Sequence, residues 1–273
     1  MLACAPVSTP IDYTTKLTSE TGTALADPSP YRRLIGKLIY LTSTRPDIAF
    51  AVQNLSQSVS APTDIHYRAV FRVLRYLKQS LGAGIFLPSS SSLQLKGFSD
   101  SNWAGCLETH RSVTGYSVYL GDSLISWKSK KQATVSRSSS KSEYRALASV
   151  TCEIQWLSFL LDDLRIGYEK HALLFCDNDS AIQIAHNQVF HERTKHIEID
   201  CHVVHEKINL GVLKLLPISS SLQLADILTK ALHPHVFKNF YGKLGMSNIH
   251  SHLEGGSYNS NTYTSSELRD DNG

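Results

Sequence analysis

Four acidic residues stand at the two kinds of position where a fold can hold a side chain rigidly. They are Asp100, Glu143, Asp177 and Asp226. The first ends a strand predicted over residues 93–100, and the third follows a buried-type strand predicted over residues 171–176. The second and fourth lie in the first turns of helices predicted over residues 140–164 and 223–232. If the two strands are adjacent and the long helix packs across them, the four carboxylates converge.

Carboxylates that converge repel one another, and they destabilise a fold unless a cation neutralises them. Two Mg²⁺ ions about 4 Å apart, bridged by an aspartate, would provide that neutralisation and would flank a phosphodiester for in-line attack by water. A ligand set of oxygen atoms suits Mg²⁺ or Mn²⁺ far better than zinc. The acids therefore raise the hypothesis of a two-metal site for phosphodiester hydrolysis.

Each acid also has a structural interpretation. Glu143 follows Ser140 at the spacing of a capping box, so it can cap its own helix. Asp226 can stabilise a helix dipole, Asp177 stands in a turn-forming sequence and Asp100 can cap a loop. For any one of these acids taken alone, spacing favours the structural role.

Basic residues form two groups that could contact a phosphate backbone. The basic face of a helix predicted between residues 64 and 80 consists of Arg68, Arg72, Arg75 and Lys78. A solvated helix face is the simpler interpretation of this group. The second group occupies a predicted loop at residues 128–131 and the approach to the long helix; its members are Lys128, Lys130, Lys131, Arg137 and Arg145. A solvated surface is the alternative for each of them.

The pattern of the chain predicts four units. The composition of residues 1–30, rich in Ser, Thr and Pro, predicts an extended arm. In residues 31–90 the pattern predicts three helices, followed by a linker that begins at residue 81. Residues 91–246 predict three consecutive strands, a helix, a strand, two helices, a strand and a last helix, for which a mixed sheet flanked by helices is the economical arrangement. Residues 247–273 predict a disordered tail.

Bulk composition narrows the class of protein. The chain has 273 residues and 42% apolar composition, enough for a substantial core, and a net charge of only +3. Its five cysteines are odd in number and contain no CxxC pair, which predicts a reduced, intracellular protein without a disulfide framework or structural zinc. No secretory leader is recognisable and no apolar run approaches about 18 residues, so we expect neither secretion nor a membrane span.

Several long motifs resemble one family. The strings GFSDSNWAG, SWKSKKQATVSRSSSKSEYRALA, FCDNDSAIQIAHN, HERTKHIEID and LQLADILTKAL resemble the ribonuclease H domain of copia-type LTR retrotransposon polyproteins. The upstream strings YRRLIGKLIYLTSTRPDIAFAVQNLSQ and HYRAVFRVLRYLKQSLGAGIFL resemble the tail of the same family's reverse transcriptase, the region that connects the polymerase to ribonuclease H. The resemblance extends from about residue 2 to about residue 246.

The resemblance implies a ribonuclease H-like α/β fold, with a mixed five-stranded sheet flanked by helices and a small, mostly helical segment before it. It implies an endonuclease that uses two Mg²⁺ ions, or Mn²⁺, to cut the RNA strand of RNA–DNA hybrids. The family's catalytic and metal-binding acids match Asp100, Glu143, Asp177 and Asp226. In a full element the expected partner is the polymerase part of the same polyprotein. The expected location is a cytoplasmic virus-like particle or the nucleus.

The chain departs from the family pattern at several points. Relatives often carry a second aspartate where this chain has Asn102, and the loop before the last acid, residues 219–221, has no histidine. We expect structural or surface roles for three upstream histidines, His196, His202 and His205. There is no Tyr-x-Asp-Asp polymerase motif, integrase acid set or protease segment, so we expect no polymerase activity.

Two other functions remain open from the sequence. One is a catalytically inactive retroelement remnant that only folds or binds nucleic acid. The other is an integrase or transposase of the same fold superfamily, which normally relies on three acids. The acid of the LADILTK motif, Asp226, argues against the second.

Overall fold

The computed structural model describes residues 4–15, 17–186 and 198–248. Three helices precede the sheet: α1 Ser29–Leu41, α2 Ala49–Ser56 and α3 Asp64–Gln79. The remaining helices are α4 Ser139–Asp163, α5 Asp179–His186, α6 Glu198–Asn209 and α7 Pro234–Lys243. His196 and residues 249–273 of the predicted tail lie outside the described residues.

The strands form one five-stranded sheet and one small two-stranded sheet. In chain order they are β1 Ala83–Ile85, β2 Gln94–Asn102, β3 Val113–Leu120, β4 Ser123–Lys131, β5 Glu169–Cys176, β6 Leu213–Pro217 and β7 Met246–Asn248. The large sheet has the order β4-β3-β2-β5-β6; its first three strands are antiparallel, whereas β2, β5 and β6 are parallel. The expected mixed five-stranded sheet of a ribonuclease H-like fold, flanked by helices, is confirmed.

Helices cover both faces of the large sheet. Helix α4 lies so close to β2 that a Cβ atom on Gly97 would stand 3.0 Å from Ile154 Cδ1. On the opposite face, Trp127 of β4 donates a hydrogen bond to the carbonyl oxygen of Thr42, just after α1 (2.9 Å). The core on that face combines residues of α1 to α3 with residues of β3 and β4. The two layers hold the sheet rigidly, which a site at its edge requires.

Three sequence expectations about secondary structure are wrong. Residues 128–131, predicted as a loop, belong to β4, because they pair with residues 113–116 of β3. Part of the predicted linker forms β1, which pairs with β7 at the start of the predicted tail. The helix predicted over residues 223–232 is a short 3₁₀ helix, Leu224–Leu228, and a separate α7 begins after it at Pro234, a favoured first residue of a helix.

The arm packs against α3 rather than extending into solvent. Ile11 is buried in the same core as the three N-terminal helices. Cations of the basic face of α3 bind the arm in these contacts: Arg72 pairs with Asp12 (3.2 Å), Arg75 Nε donates to the Ala5 carbonyl (2.7 Å) and Lys78 Nζ donates to the Cys4 carbonyl (3.0 Å). The division of the chain into four units remains a prediction.

Within the described ranges, none of the helices combines the length and the apolar character that are needed to cross a membrane.

Candidate functional site

Asp100 and Asp177 come from neighbouring parallel strands. Phe98 of β2 is paired with Phe175 of β5, so each acid stands two residues beyond a paired position. Both therefore lie at the same edge of the sheet, where the carboxyl ends of β2 and β5 meet. Asp100 is buried within β2, whereas Asp177 lies just after β5, is half-buried and accepts a hydrogen bond from Ser220 Oγ (2.7 Å).

Glu143 reaches this edge from the first turns of α4. Its Oε1 atom accepts a hydrogen bond from the backbone N–H of Ser101 on β2 (3.1 Å). The helix is capped instead by Ser138, whose hydroxyl accepts from the Lys141 backbone (3.4 Å), so the expected capping box from Ser140 to Glu143 is wrong. The second oxygen, Oε2, is buried and has no hydrogen-bond partner in the part of the chain that the structure describes.

Asp226 is brought to the same edge by the 3₁₀ helix, which presses on the sheet beside Asp100. The residue paired with Asp100 across β3 is Gly115. A Cβ atom there would stand 2.5 Å from Thr229 Cγ2 and 3.0 Å from the Ala225 carbonyl oxygen, so only glycine allows this approach. At the other end of the segment, the buried Gln223 side chain donates to the carbonyl oxygen of Ser99 (2.9 Å).

We call Asp100, Glu143, Asp177 and Asp226 the acid cluster. Three of its members are almost fully buried, with exposed fractions of 5% for Asp100, 6% for Glu143 and 8% for Asp226. Thr229 Oγ1 donates a hydrogen bond to Asp100 Oδ2, and Lys230 Nζ lies 2.9 Å from Asp226 Oδ1 and 4.0 Å from Asp100 Oδ2. The structure thus brings the four acids predicted from the sequence to one place.

Burial and mutual repulsion shift the protonation of this cluster. Burial, followed by the charges of Asp100 and Asp177, raises the pKa of Glu143 to about 9. Burial also raises the pKa of Asp100 and that of Asp226; repulsion from Asp100 adds to the shift at Asp226, while Lys230 opposes both. For Lys230, burial lowers the pKa, but attraction to the two aspartates outweighs it and the net shift is upward. Lys230 therefore offsets only part of the burial and repulsion, and in the metal-free protein the cluster favours protonated carboxyls.

The donor set fits a hard divalent cation. Glu143, Cys176 and Asp177 each offer a ligand atom, and these atoms lie within 4.8 Å of one another. Burial raises the pKa of Cys176 strongly, so its sulfur stays a thiol and is a poor ligand. The remaining donors are carboxylate oxygens, among them the unpartnered Glu143 Oε2, which suits Mg²⁺ or Mn²⁺.

The second group of predicted nucleic-acid contacts surrounds the β4 end of the sheet. Lys128 and Lys130 are exposed on β4, and Lys128 Nζ lies 5.8 Å from the centre of the Tyr116 ring. Lys131 points to the other face, 3.7 Å from Cys106 Sγ. Arg145 donates to Ser136 Oγ (2.9 Å), and Arg137 is exposed in the same loop.

The basic face of α3 does not present free cations to a ligand. Arg72 and Arg75 bind the arm, as described above, and Arg68 forms an ion pair with Asp64 one turn earlier on the same helix. These three cations have partners within the chain, and the nucleic-acid role suggested for Arg68, Arg72 and Arg75 stays a prediction. The sequence could not reveal this, because the arm and α3 are about 60 or more residues apart in the contacts that join them.

Sequence reasoning missed several residues that position the acids. Gln132 is buried and donates to Thr114 Oγ1 (3.0 Å) and to the carbonyl oxygen of Ser142 (3.0 Å), the residue before Glu143. Gln223 and Thr229 were likewise missed, and no local pattern marks them. Lys230 could have been found, since it follows Asp226 at the four-residue spacing at which ion pairs form.

The remaining predicted residues have structural roles. Asn102, which stands where relatives often carry an acid, donates from Nδ2 to the carbonyl oxygen of Thr229 (3.3 Å). His205 is buried, with Nε2 3.0 Å from the carbonyl oxygen of Ile184, and His202 is exposed on α6.

Comparison with known proteins gives two closely similar relatives. The chain is 44% identical over 249 residues to the retrovirus-related Pol polyprotein from transposon RE2 of Arabidopsis thaliana, covering 91% of this chain and 17% of the relative. The Pol polyprotein from transposon RE1 of the same plant is 43% identical over 249 residues, with coverages of 91% and 17%. The chain thus spans about a sixth of the length of these curated relatives.

Among solved structures, the N-terminal RNase H domain of rv2228c from Mycobacterium tuberculosis, a fusion with maltose-binding protein, aligns with a TM-score of 0.36. The alignment has 12% identity and covers 55% of this chain and 98% of that chain. No protein-family profile matches the chain.

Proposed function

Because the chain belongs to the copia-type retrovirus-related Pol polyproteins of transposons, we propose that it is their ribonuclease H part, without polymerase activity. In this proposal it is a metal-dependent endonuclease that hydrolyses the RNA strand of RNA–DNA hybrids. One observation carries the proposal: four acids from separate elements meet at one edge of a ribonuclease H-like sheet, and the buried Glu143 Oε2 among them has no hydrogen-bond partner in the described residues.

Asp100, Glu143, Asp177 and Asp226 would hold two Mg²⁺ ions, with Mn²⁺ as a substitute. Bound there, the ions would supply an activated water and a counter-charge for the leaving 3′ oxygen of a phosphodiester. The chain itself supplies rigid placement. The strand end fixes Asp100, and the Ser101 N–H fixes one oxygen of Glu143 so that the other points into the cluster.

The surrounding residues orient the carboxylates of the acid cluster. The Thr229 hydroxyl donates to Asp100, which opposes the upward shift in the pKa of that carboxyl, and the Ser220 hydroxyl donates to Asp177 and orients it. Gln132 ties the start of α4 to the sheet next to Glu143. These hydrogen bonds match the supporting role that partners of metal ligands play elsewhere.

For the substrate, we propose that the basic residues of β4 and the following loop contact phosphates on either side of the cleaved bond. The exposed members of that group, Lys128, Lys130 and Arg137, can reach a polyanion from the protein surface. A hybrid would be distinguished from duplex DNA by its A-like shape and its 2′-hydroxyls rather than by base sequence. In a full element the polymerase part of the same polyprotein would deliver the hybrid.

A cleavage assay tests this proposal. The full chain is incubated with a hybrid labelled on its RNA strand, with Mg²⁺, with Mn²⁺ and with EDTA. We expect cuts within the RNA strand that require the metal and that are lost in Asp100→Asn. The matched control is Asp162→Asn, which removes one carboxylate of a surface ion pair with Lys170 and should leave cleavage unchanged.

Two results would contradict the proposal. One is the absence of RNA products with either metal; the other is cleavage that Asp100→Asn leaves intact. Hybrid binding that persists in EDTA without any product would instead favour the alternative, a non-catalytic protein that binds nucleic acid. The same assay with duplex DNA and with single-stranded RNA defines the substrate class.

A further inference from the structure

Among the described residues, Lys230 is the one cation that forms ion pairs with the acid cluster. Its ammonium lies 2.9 Å from Asp226 Oδ1 and 4.0 Å from Asp100 Oδ2, both within the range of an ion pair. These two aspartates come from different elements, β2 and the 3₁₀ helix. One ammonium therefore bridges two carboxylates that would otherwise repel each other across the site.

The backbone around Lys230 is held in place, whereas its side chain can move. The Lys230 N–H donates to the carbonyl oxygen of Asp226 (3.2 Å), and the neighbouring Thr229 is buried and bound to Asp100. The side chain of Lys230 is nevertheless 42% exposed. Because the lysine side chain is flexible and partly exposed to solvent, its ammonium can leave the site without any movement of the aspartates.

An ammonium and a divalent cation require the same oxygens. A Mg²⁺ ion bound by Asp226 needs an oxygen at about 2.1 Å, and it tolerates no second cation on the same lone pair. We propose that Lys230 is a positioning residue that holds Asp226 and Asp100 together in the metal-free protein and competes with the divalent cation for them. Metal then loads the site only as Lys230 releases Asp226. This inference rests on the metal site of the proposed function.

Metal binding to the full chain, measured by titration calorimetry with Mg²⁺ and with Mn²⁺, tests the competition directly. In Lys230→Met we expect metal to bind roughly tenfold tighter, the scale of changes next to metal ligands, because the competing charge is gone. Without metal, the same variant should melt at a lower temperature than the wild type, because the aspartates lose their counter-charge. Lys230→Arg keeps the charge and should restore both values towards wild type.

The matched control is Lys170→Met, which removes a lysine paired with an aspartate on the surface and should change neither metal affinity nor melting temperature by much. If Lys230→Met does not fold without metal, Lys230→Gln replaces it, since the amide keeps a hydrogen bond without the charge. Unchanged or weaker metal binding in the uncharged variants overturns the inference.

Parallel cleavage assays separate this inference from the proposed function. Wild-type cleavage together with unchanged metal affinity in Lys230→Met contradicts the competition and leaves the function standing. Tighter metal binding in Lys230→Met without any wild-type cleavage supports the competition and contradicts the function.

Discussion

The acid cluster and the basic face of α3 are both groups of like charges, yet the molecule treats them in opposite ways. On α3, cations meet groups from the same chain: Asp12 and backbone carbonyls of the arm. In the acid cluster, three carboxylates are buried around a single lysine, and Glu143 Oε2 has no hydrogen-bond partner among the described residues. The cations of the first group find partners as the chain folds, whereas the second group still favours a bound positive charge.

Whether a charged group has a partner within the chain therefore distinguishes a structural role from a functional one better than the number of charges in the group does. A cation that is paired within the chain and lies near solvent contributes little to binding, because its partner must first be displaced. A buried carboxylate without a partner is destabilising in the absence of a ligand, and it is retained where a cation can bind. The predictions below test the two regions against each other.

The largest difference between the two regions should appear when one charge is removed from each. Asp177→Asn removes a proposed metal ligand but keeps a similar shape at the Ser220 contact, and we expect cleavage of the hybrid to fall by about 100-fold or more, beyond typical losses at supporting residues. Arg75→Gln removes a cation that binds the arm, and we expect a change within about twofold. Steady-state cleavage rates decide the comparison; comparable losses in both variants would show that the basic face of α3 also contacts substrate.

The next effect concerns the close approach of the 3₁₀ helix to the sheet. Gly115→Ala puts a Cβ atom 2.5 Å from Thr229 Cγ2 and 3.0 Å from the backbone at Ala225, so the segment that carries Asp226 must shift. We expect a loss of about 1–3 kcal/mol in the free energy of unfolding, measured in urea, and weaker metal binding.

Gly36→Ala is the control for that change. Nothing lies within 4 Å of a Cβ atom at Gly36, which is in helix α1, so alanine should stabilise the protein by up to about 1 kcal/mol. A Gly115→Ala variant that is as stable as wild type would mean that the 3₁₀ helix moves without cost.

The smallest effect, taken over one pH unit, is a pH dependence that arises in the acid cluster. In the metal-free protein the pKa of Glu143 is raised from its ordinary 4.5 to about 9, so between these values the folded state holds a proton that the unfolded state has lost. Stability should therefore fall as pH rises through that window, by at most about 1.4 kcal/mol per pH unit. Glu143→Gln should flatten this slope in thermal melts with EDTA.

The exposed carboxylate Glu169 of β5 provides the matched substitution, Glu169→Gln, which should leave the slope in place. Saturating Mg²⁺ should reverse the trend in the wild type, because metal binds the deprotonated carboxyl. A slope that survives in Glu143→Gln would assign the retained proton to another group of the cluster.

Much of the site could be predicted from the sequence. The alternation that ends at Asp100, the apolar run before Asp177 and the helical spacing after Glu143 are local patterns, and the structure has the corresponding elements. Local pattern failed where a distant partner decides the conformation. Residues 83–85 form a strand only because β7 pairs with them, and residues 224–228 form a 3₁₀ helix pressed against Gly115.

By itself, the sequence determined which side chains can do chemistry and which elements carry them, since residue type and periodicity are properties of short segments. Only the tertiary structure decided that β2 lies beside β5, that Lys230 bridges two aspartates and that the arm binds the basic face of α3. The physical reason is that the energy of a charged group depends on the groups that surround it. Which residues distant along the chain become its neighbours is decided by the packing of the whole fold.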